Sequence, residues 1–190
     1  WPFRLGGSFH RNAWKNLNKV LVQIESSVVE LERWGIEAAA VGDPRFDRVL
    51  EAETSVRANS DQSLKEWVGH RMCLVVGSAW KAESRIAQAA WTNGKACIVV
   101  PHEWDSNWAE GQKDEWAKRG AKAIVWSEFR STGVEDSKTI PEADVILLDA
   151  MGHLMDAYGA GHFALVGGGF GKGVHNTLEP AAHGLAIWTG

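Results

Sequence analysis

Residues 163–180 read FALVGGGFGKGVHNTLEP, in which an apolar run is followed by a glycine cluster and by the start of a predicted helix. Its first part, FALVGG (163–168), is a short apolar run typical of a buried strand. Five of the seven residues at 167–173 are glycine, which allows positive φ and a close approach of the backbone to a ligand. A helix is predicted from about 176 to 183, and the free N–H groups at its start suit a phosphate or a carboxylate. Lys172 adds a flexible positive charge beside them.

The start of that helix also has a purely structural explanation. Asn176-Thr177-Leu178-Glu179 has the spacing of a capping box, with Asn176 as the N-cap and Glu179 reaching back to the N–H of the cap. Such a box needs no ligand. The glycine cluster favours ligand binding more strongly, because a simple helix entry requires one glycine and not five.

From Cys73 onward the chain repeats the same alternation of apolar strand and helix. Strands are predicted at 73–77, 96–100, 123–126, 144–149, 163–168 and 185–188, with helices at about 81–94, 106–119, 152–159 and 176–183. Near-continuous apolar strands separated by helices indicate a parallel sheet covered on both faces. With right-handed crossovers this predicts an α/β, Rossmann-like, doubly wound domain.

The first fifty residues follow a different pattern. A helical apolar pattern runs over 14–34, a candidate strand follows at 37–41, and Gly42-Asp43-Pro44 indicates a turn. We therefore predict that residues 1–48 are the end of an N-terminal domain with its linker, and that 49–190 form a second domain. Because residue 1 is Trp and the sequence stops directly after a strand, we interpret the chain as a piece of a longer protein, truncated at the C-terminal end of this second domain.

Composition narrows the classes of function. Apolar residues make up 45% of the chain, as in an ordinary globular protein, and a net charge of −4 argues against a nucleic-acid partner, which would require a basic excess. No run reaches the roughly 18 apolar residues of a membrane span. Cys73 and Cys97 lie inside apolar runs, so we expect them to be buried and reduced. Eleven tryptophans accompany one tyrosine, a ratio that no sequence pattern explains.

Polar and Gly-rich segments follow most of the predicted strands, and in an open parallel sheet ligands bind outside the carboxyl ends of the strands. These segments are Gly77–Trp80, Pro101–Glu103, Ser127–Glu128, Asp149–His153 and Gly167–Gly173. We therefore expect the ligand site at this edge of the sheet.

The titratable residues at this edge allow several roles. His102, His153 and His175 match no zinc spacing, so hydrogen bonding to a ligand or to loop backbone is favoured over a metal site. Asp149 could act as an acid or base, or cap a loop. No G-x-x-x-x-G-K-[ST] occurs, which excludes a P-loop, and the glycine cluster comes too late for a dinucleotide fingerprint. A late Gly-rich turn is typical of nucleotide-sugar transferases.

Four segments resemble the 3-deoxy-D-manno-octulosonic acid (Kdo) transferases of lipopolysaccharide synthesis. They are VGDPRFDRVL (41–50), GSAW (77–80), VPHE (100–103) and LLDAMGHLMDAYGAGHFALVGGGFGKGVHNTLEPAAHGLAIWTG (147–190), in a resemblance that spans nearly the whole chain. It implies a GT-B architecture, in which the active site lies between two Rossmann-like domains. It also implies transfer of Kdo from CMP-Kdo to a lipid A precursor, lipid IVA, without a metal or cofactor. The implied location is the cytoplasmic face of the bacterial inner membrane, with membrane contact through a region that precedes this chain.

The resemblance further implies which residues contact CMP-Kdo. They lie in three segments at the strand ends described above: Pro101 and His102; Met151, Gly152 and His153; and Asn176, Thr177, Leu178 and Glu179. The helix start would hold the phosphate or carboxylate of the donor, Glu179 would accept hydrogen bonds from sugar hydroxyls, and the other two loops would flank the nucleotide. At His153 the family has an acidic or apolar residue, which leaves a backbone contact as the implied role there. The family's catalytic base is a Glu near the start of the N-terminal domain, outside these residues, so the chain is expected to bind the donor without turning it over alone.

Two other interpretations stay open. GT-B enzymes that use a UDP-sugar, whether transferases or epimerases, share the late Gly-rich turn and the Glu-bearing helix. A nucleotide-binding module without catalytic activity would also carry these features.

Overall fold

A computed structural model describes residues 12–59, 62–131 and 142–190 of the chain. The chain forms two compact units, Trp1–Arg48 and Val49–Gly190. The roles expected for them, the end of an acceptor-side domain and a nucleotide-sugar-binding domain, stay predictions.

The first unit contains two short parallel strands joined by a helix. These are β1 (Val20–Val22), α1 (Glu25–Glu32) and β2 (Ala38–Ala40), and they follow a helical turn at residues 12–15. Its core forms where α1 packs on the segment leading into β2, through Val28, Leu31, Ile36 and Ala38.

The helix predicted over 14–34 is wrong in its first half, because residues 20–22 form strand β1. Leu21, part of the apolar pattern that suggested a helix, is 64% exposed, whereas Val28 and Leu31 are buried. The β-branched Val20 and Val22 flank Leu21 and pair with β2, so strand pairing overrides the helical spacing of the apolar residues. At the turn predicted at 42–44, Gly42 has φ +80°, and helix α2 (Pro44–Asn59) begins at Pro44, a residue suited to the first helical position.

The second unit is built on a six-stranded sheet with helices between successive strands. The strands are β3 (Cys73–Ala79), β4 (Ala96–Pro101), β5 (Ala123–Val125), β6 (Val145–Leu147), β7 (Phe163–Val166) and β8 (Ala186–Trp188). The helices are α3 (Ser63–Val68), α4 (Lys81–Ala90), α5 (Trp108–Ala117), α6 (Trp126–Ser131), α7 (Leu154–Ala160) and α8 (Leu178–Ala182). The strand order is β5-β6-β4-β3-β7-β8, and all pairings are parallel. The predicted doubly wound parallel sheet is therefore confirmed.

Both faces of this sheet are buried. Successive residues of each strand point to opposite sides, so they pack into two separate apolar clusters. Val75, Ile98, Ile146 and Ala164 pack into one apolar cluster. Their neighbours pack into a second cluster on the other face, through Val76, Val99, Leu147 and Leu165. This two-sided burial explains why the strand sequences are continuously apolar instead of alternating.

The two cysteines are free and buried, as expected. They lie on the adjacent strands β3 and β4, but Cys73 pairs with Ala96, and Cys97 pairs with Leu74. The one-residue offset sends the thiols to opposite faces of the sheet, where they join different apolar clusters. Burial raises the pKa of Cys73 to about 12 and also raises that of Cys97.

The strand order reverses between β3 and β7, and we call the edge of the sheet at this point the crevice. After β3 the chain crosses to β4 on one side, whereas after β7 it crosses to β8 on the other side. Ligands of doubly wound sheets bind where the strand order reverses in this way. The last residues of β3 with Trp80 (Gly77–Trp80) and the Gly-rich loop after β7 (Gly167–Gly173) meet at that point.

Across residues 12–59, 62–131 and 142–190, no helix combines the length and apolar character needed to cross a bilayer. Within the same ranges, no group of three or more His, Cys, Asp or Glu side chains is arranged to hold a metal ion.

Candidate functional site

The end of β3 and the Gly-rich loop lie so close together that position 167 has no room for a side chain. A Cβ at Gly167 would lie 1.9 Å from the carbonyl oxygen of Ser78, and the N–H of Gly167 donates a 2.9 Å hydrogen bond to the carbonyl of Gly77. The register of β3 shifts between Val76 and Ala79, and Ser78 has φ +50°, which is uncommon for a residue with a side chain. The crevice therefore has a bent strand end on one side and a glycine backbone on the other.

A buried glutamate joins the two sides of this crevice. Glu83, on the first turn of α4, is only 1% exposed. Its Oε2 accepts a 3.1 Å hydrogen bond from the N–H of Trp80, and its Oε1 accepts one of 2.9 Å from the N–H of Gly168. Hydrogen bonds from buried backbone N–H groups to a carboxylate are strong, so Glu83 fixes the Gly-rich loop against the start of α4.

Three ring side chains and one lysine lie close together beside the contact that Glu83 makes with the Gly-rich loop. The ring of His102, which follows β4, lies 4.6 Å from Trp80 and 4.3 Å from His175 between ring centroids. Lys172, in the Gly-rich loop, has its Nζ 5.2 Å from the centroid of Trp80. We call Trp80, His102, Lys172 and His175 the crevice cluster. It combines flat rings, which stack on a base, with a positive charge, which attracts a phosphate.

The protonation of His175 follows from its partner. Trp80 has only an N–H donor, and its Nε1 donates to Nε2 of His175 at 3.2 Å. That nitrogen must be unprotonated to accept the bond. Burial, followed by the neighbouring His102, lowers the pKa of His175, whereas Glu83 acts in the opposite direction. His175 is therefore held as a neutral imidazole with its proton on Nδ1.

Helix α7 packs against the end of β3, and α8 packs against α7 and β8. A Cβ at Gly77 would lie 1.9 Å from the hydroxyl oxygen of Tyr158 and 3.2 Å from Leu154, both on α7. Burial raises the pKa of Tyr158, and the charge of Glu179 raises it further. The segment at 151–153 precedes α7 directly, and Glu179 lies in the first turn of α8. Helix α7 is thus in contact with the end of β3, and the roles of the two segments in ligand binding stay predictions.

The capping box predicted at 176–179 is wrong in its details. Helix α8 starts at Leu178 with Thr177 as N-cap, two residues later than predicted, and it has five residues. Asn176 accepts a 3.0 Å hydrogen bond from the N–H of Leu178, while its side-chain amide donates to Glu179 at 3.1 Å. Glu179 thus bonds the side chain of Asn176 and not a backbone N–H. A helix this short has a weak dipole, which reduces the expected contribution of its start to anion binding.

The remaining predicted site residues differ in exposure. Pro101 is buried at the end of β4, whereas Met151 is 82% exposed and the following Gly152 has φ +88°. His153 is the N-cap residue of α7; its Nδ1 lies 3.1 Å from Asp156, and its ring is 5.7 Å from that of Trp126.

Asp149 acts as a cap in this structure. Its two carboxylate oxygens accept hydrogen bonds of 2.9 Å from the N–H and 2.6 Å from the hydroxyl of Ser127, near the start of α6. Of the two roles that the sequence left open, the loop-capping one is the role that these contacts show.

The sequence did not single out Glu83 as a site residue, and it gave Trp80 no role of its own. For His175 it indicated hydrogen bonding to a ligand or to loop backbone, without its partner Trp80. The spacing of Trp80 and Glu83 could have revealed this glutamate, since an acidic residue three positions after a helix cap commonly bonds the N–H of the cap. Nothing in the sequence indicates its second bond, to Gly168, because that contact joins residues 85 positions apart.

Comparison with known proteins adds a likeness of fold. No family model and no curated protein matches the chain. Among solved structures, the chain is similar to the C-terminal CMP-Kdo binding domain of WaaA from Acinetobacter baumannii, with a TM-score of 0.51 and 21% identity. The match covers 75% of this chain and 70% of that chain. The resemblance drawn from the sequence is thus confirmed at the level of the fold, which is that of a Rossmann-like domain of GT-B type.

Proposed function

We propose that this chain binds CMP-Kdo in the crevice between β3 and β7, as the donor-binding part of a GT-B glycosyltransferase that transfers Kdo to a lipid A precursor. The observation that carries the proposal is the crevice cluster, which stands where the strand order reverses. The fold shared with a CMP-Kdo binding domain and the sequence segments quoted above support the same donor.

The cluster offers complementary groups to the two ends of a nucleotide. Trp80 and His102 present rings for the base, and stacking on an aromatic ring stabilises a bound base by about 1–3 kcal/mol. Lys172 and the backbone of the Gly-rich loop face the place where a phosphate would sit. Asn176 and Glu179 supply an amide and a carboxylate that can bond the hydroxyls of the sugar.

In this scheme the chain positions the donor and stabilises the leaving group. An acceptor hydroxyl displaces CMP at the anomeric carbon of Kdo, and the negative charge that grows on the departing phosphate is stabilised by Lys172 and by backbone N–H groups of the Gly-rich loop. The proton of the acceptor hydroxyl is taken by a Glu supplied from outside these residues. No metal or cofactor is part of the proposal. The reaction would take place at the cytoplasmic face of the bacterial inner membrane, with lipid IVA as the acceptor.

The choice of nucleotide tests the proposal. Isothermal titration with CMP, UMP and UDP should show a preference for CMP. Replacing Lys172 by Met should weaken CMP binding about three- to tenfold, which corresponds to roughly 1 kcal/mol. The matched control is Lys95→Met, since this exposed lysine precedes β4 and so lies at the opposite edge of the sheet. A preference for a uridine nucleotide would instead favour a UDP-sugar enzyme, and binding of none of the three would remove the donor-binding proposal.

A second variant tests the sugar end of the site. Glu179→Ala should lower the affinity for CMP-Kdo more than the affinity for CMP, because the carboxylate is expected to contact the sugar. If both affinities are unchanged, Glu179 serves only as the partner of Asn176.

A further inference from the structure

A second concave site lies beside the crevice, between α4, α5 and the loop at 103–107. It is a cleft of about 840 Å³, within the range of small-molecule sites. It contains none of the residues predicted to contact CMP-Kdo. Trp80 lines one end of it and also belongs to the crevice cluster, so the two sites are neighbours.

Tryptophans form much of the wall of this cleft. Trp104, in the loop after β4, is 38% exposed, and Trp108 opens α5. Together with Trp80 they account for three of the eleven tryptophans of the chain. Trp104 is exposed, whereas Trp80 and Trp108 are partly buried. Indole rings provide large, rigid contact surfaces that lose little conformational entropy on binding. The unusual tryptophan content is thus partly concentrated at one place where it can contact a ligand.

The charges of the cleft nearly cancel, with two basic groups and three carboxylates. Lys81 and Arg85, one turn apart on α4, are opposed by the carboxylates of Glu103, Asp105 and Glu115. A strongly anionic ligand would meet the three carboxylates, and a cationic ligand would meet the two basic groups. The lining therefore disfavours ligands of high net charge of either sign.

Uncharged polar groups complete the lining. Gln88 donates a 3.2 Å hydrogen bond to Gln112 across the cleft between α4 and α5, and Ser84 is buried beside Gln88. Side-chain amides and hydroxyls both donate and accept hydrogen bonds. Flat apolar faces combined with donors and acceptors match the surface of a pyranose ring, which has apolar C–H faces and a rim of hydroxyls.

We infer that this cleft binds a neutral saccharide. This inference goes beyond CMP-Kdo binding and does not depend on it, because the residues that carry it, apart from Trp80, are separate from the crevice.

The test is a titration of the chain with maltose, lactose and N,N′-diacetylchitobiose, followed by the indole N–H signals in NMR spectra. At least one of these sugars should bind with a Kd of about 1 mM or tighter and shift the signals of Trp104 and Trp108. Trp104→Ala, in an exposed loop, should weaken that binding at least fivefold and leave the affinity for CMP unchanged. Gln112→Ala should weaken it without removing a tryptophan, and Trp188→Ala, which removes a 52% exposed tryptophan on β8, should not change it.

Three results would overturn the inference. One is the absence of any shift with all three sugars at about 10 mM. Another is preferential binding of tetramethylammonium or inorganic phosphate, which would assign the cleft to an ion. The last is equal sugar affinity in Trp104→Ala and wild type, with thermal unfolding showing that the variant is folded. Because CMP affinity is measured in parallel, a failure here is distinguishable from a failure of the donor proposal.

Discussion

Replacing Glu83 by Gln is the sharpest test of how the crevice is held together. Glu83 is isosteric with Gln, is 1% exposed, and receives the N–H groups of Trp80 and Gly168 on separate oxygens. Gln keeps one carbonyl oxygen, so one bond survives in weaker, neutral form. Its amide N–H₂ then faces the other backbone N–H, which loses its acceptor.

The size of the effect follows from these two bonds. A hydrogen bond to a charged group contributes about 1.5–3 kcal/mol and a neutral one about 1 kcal/mol. Losing one charged bond and weakening the other therefore costs about 2–5 kcal/mol, and removing a buried charge from a poorly solvated site offsets part of this. We expect a net loss of about 2–3 kcal/mol in the free energy of unfolding.

Urea unfolding followed by circular dichroism measures this loss. The matched control is Glu110→Gln, because the carboxylate of Glu110 is 73% exposed and pairs with Lys113 at the surface of α5; its effect should stay within about 0.5 kcal/mol. CMP affinity should fall in Glu83→Gln as well, since the Gly-rich loop loses its anchor. A stability within about 0.5 kcal/mol of wild type would refute the claim that Glu83 joins the two sides of the crevice.

Three further predictions follow from the same region. Gly167→Ala should destabilise the chain by at least about 1–3 kcal/mol in urea unfolding, because its Cβ would overlap the Ser78 carbonyl, whereas Gly111→Ala, in open space on α5, should stabilise it by about 0.5–1 kcal/mol; equal effects would contradict the close approach. The pKa of His175 is below its ordinary value of 6.5, so its contribution to stability is present above about pH 6.5 and is lost as the pH falls through that value towards the lowered pKa. His175→Gln should flatten the pH dependence of stability between about pH 7 and pH 5, and an unchanged slope would reject this. Asp149→Ala should lower the free energy of unfolding by about 1 kcal/mol, because α6 loses its cap. An unchanged free energy of unfolding would contradict the hydrogen bonds between Asp149 and Ser127.

The sheet was predictable because its signal is local. Runs such as CLVVG and ACIVV are buried on both faces, so their apolar character needs no knowledge of neighbouring strands. Residues 20–22 show the opposite case. Their pairing with β2 depends on a contact across the chain, and the helical spacing of Leu21 and its neighbours gave the wrong element. Strong local patterns were therefore enough to predict the fold class, whereas the short strand β1 could be identified only from its pairing with β2.

The site was predictable to the level of strand ends but not of contacts. The topology rule placed His102 and the Gly-rich loop at one edge, and the structure brings His102 within 4.3 Å of His175. The bond between Glu83 and Gly168 and the one between Trp80 and His175 join residues more than 80 positions apart. Such pairs have no spacing pattern, so they appear only once the strand order is known.

The burial of the two cysteines gives the chain an internal reporter of opening. Each thiol lies under a different face of the sheet, on the central strands β3 and β4, and burial suppresses the reactive thiolate form. A thiol reagent can therefore react only when these strands separate from the helices that cover them. With Cys73→Ala or Cys97→Ala, the labelling rate of the remaining thiol would report the exposure of one face at a time. Kinetic labelling would then show whether the two helical layers detach together or one before the other.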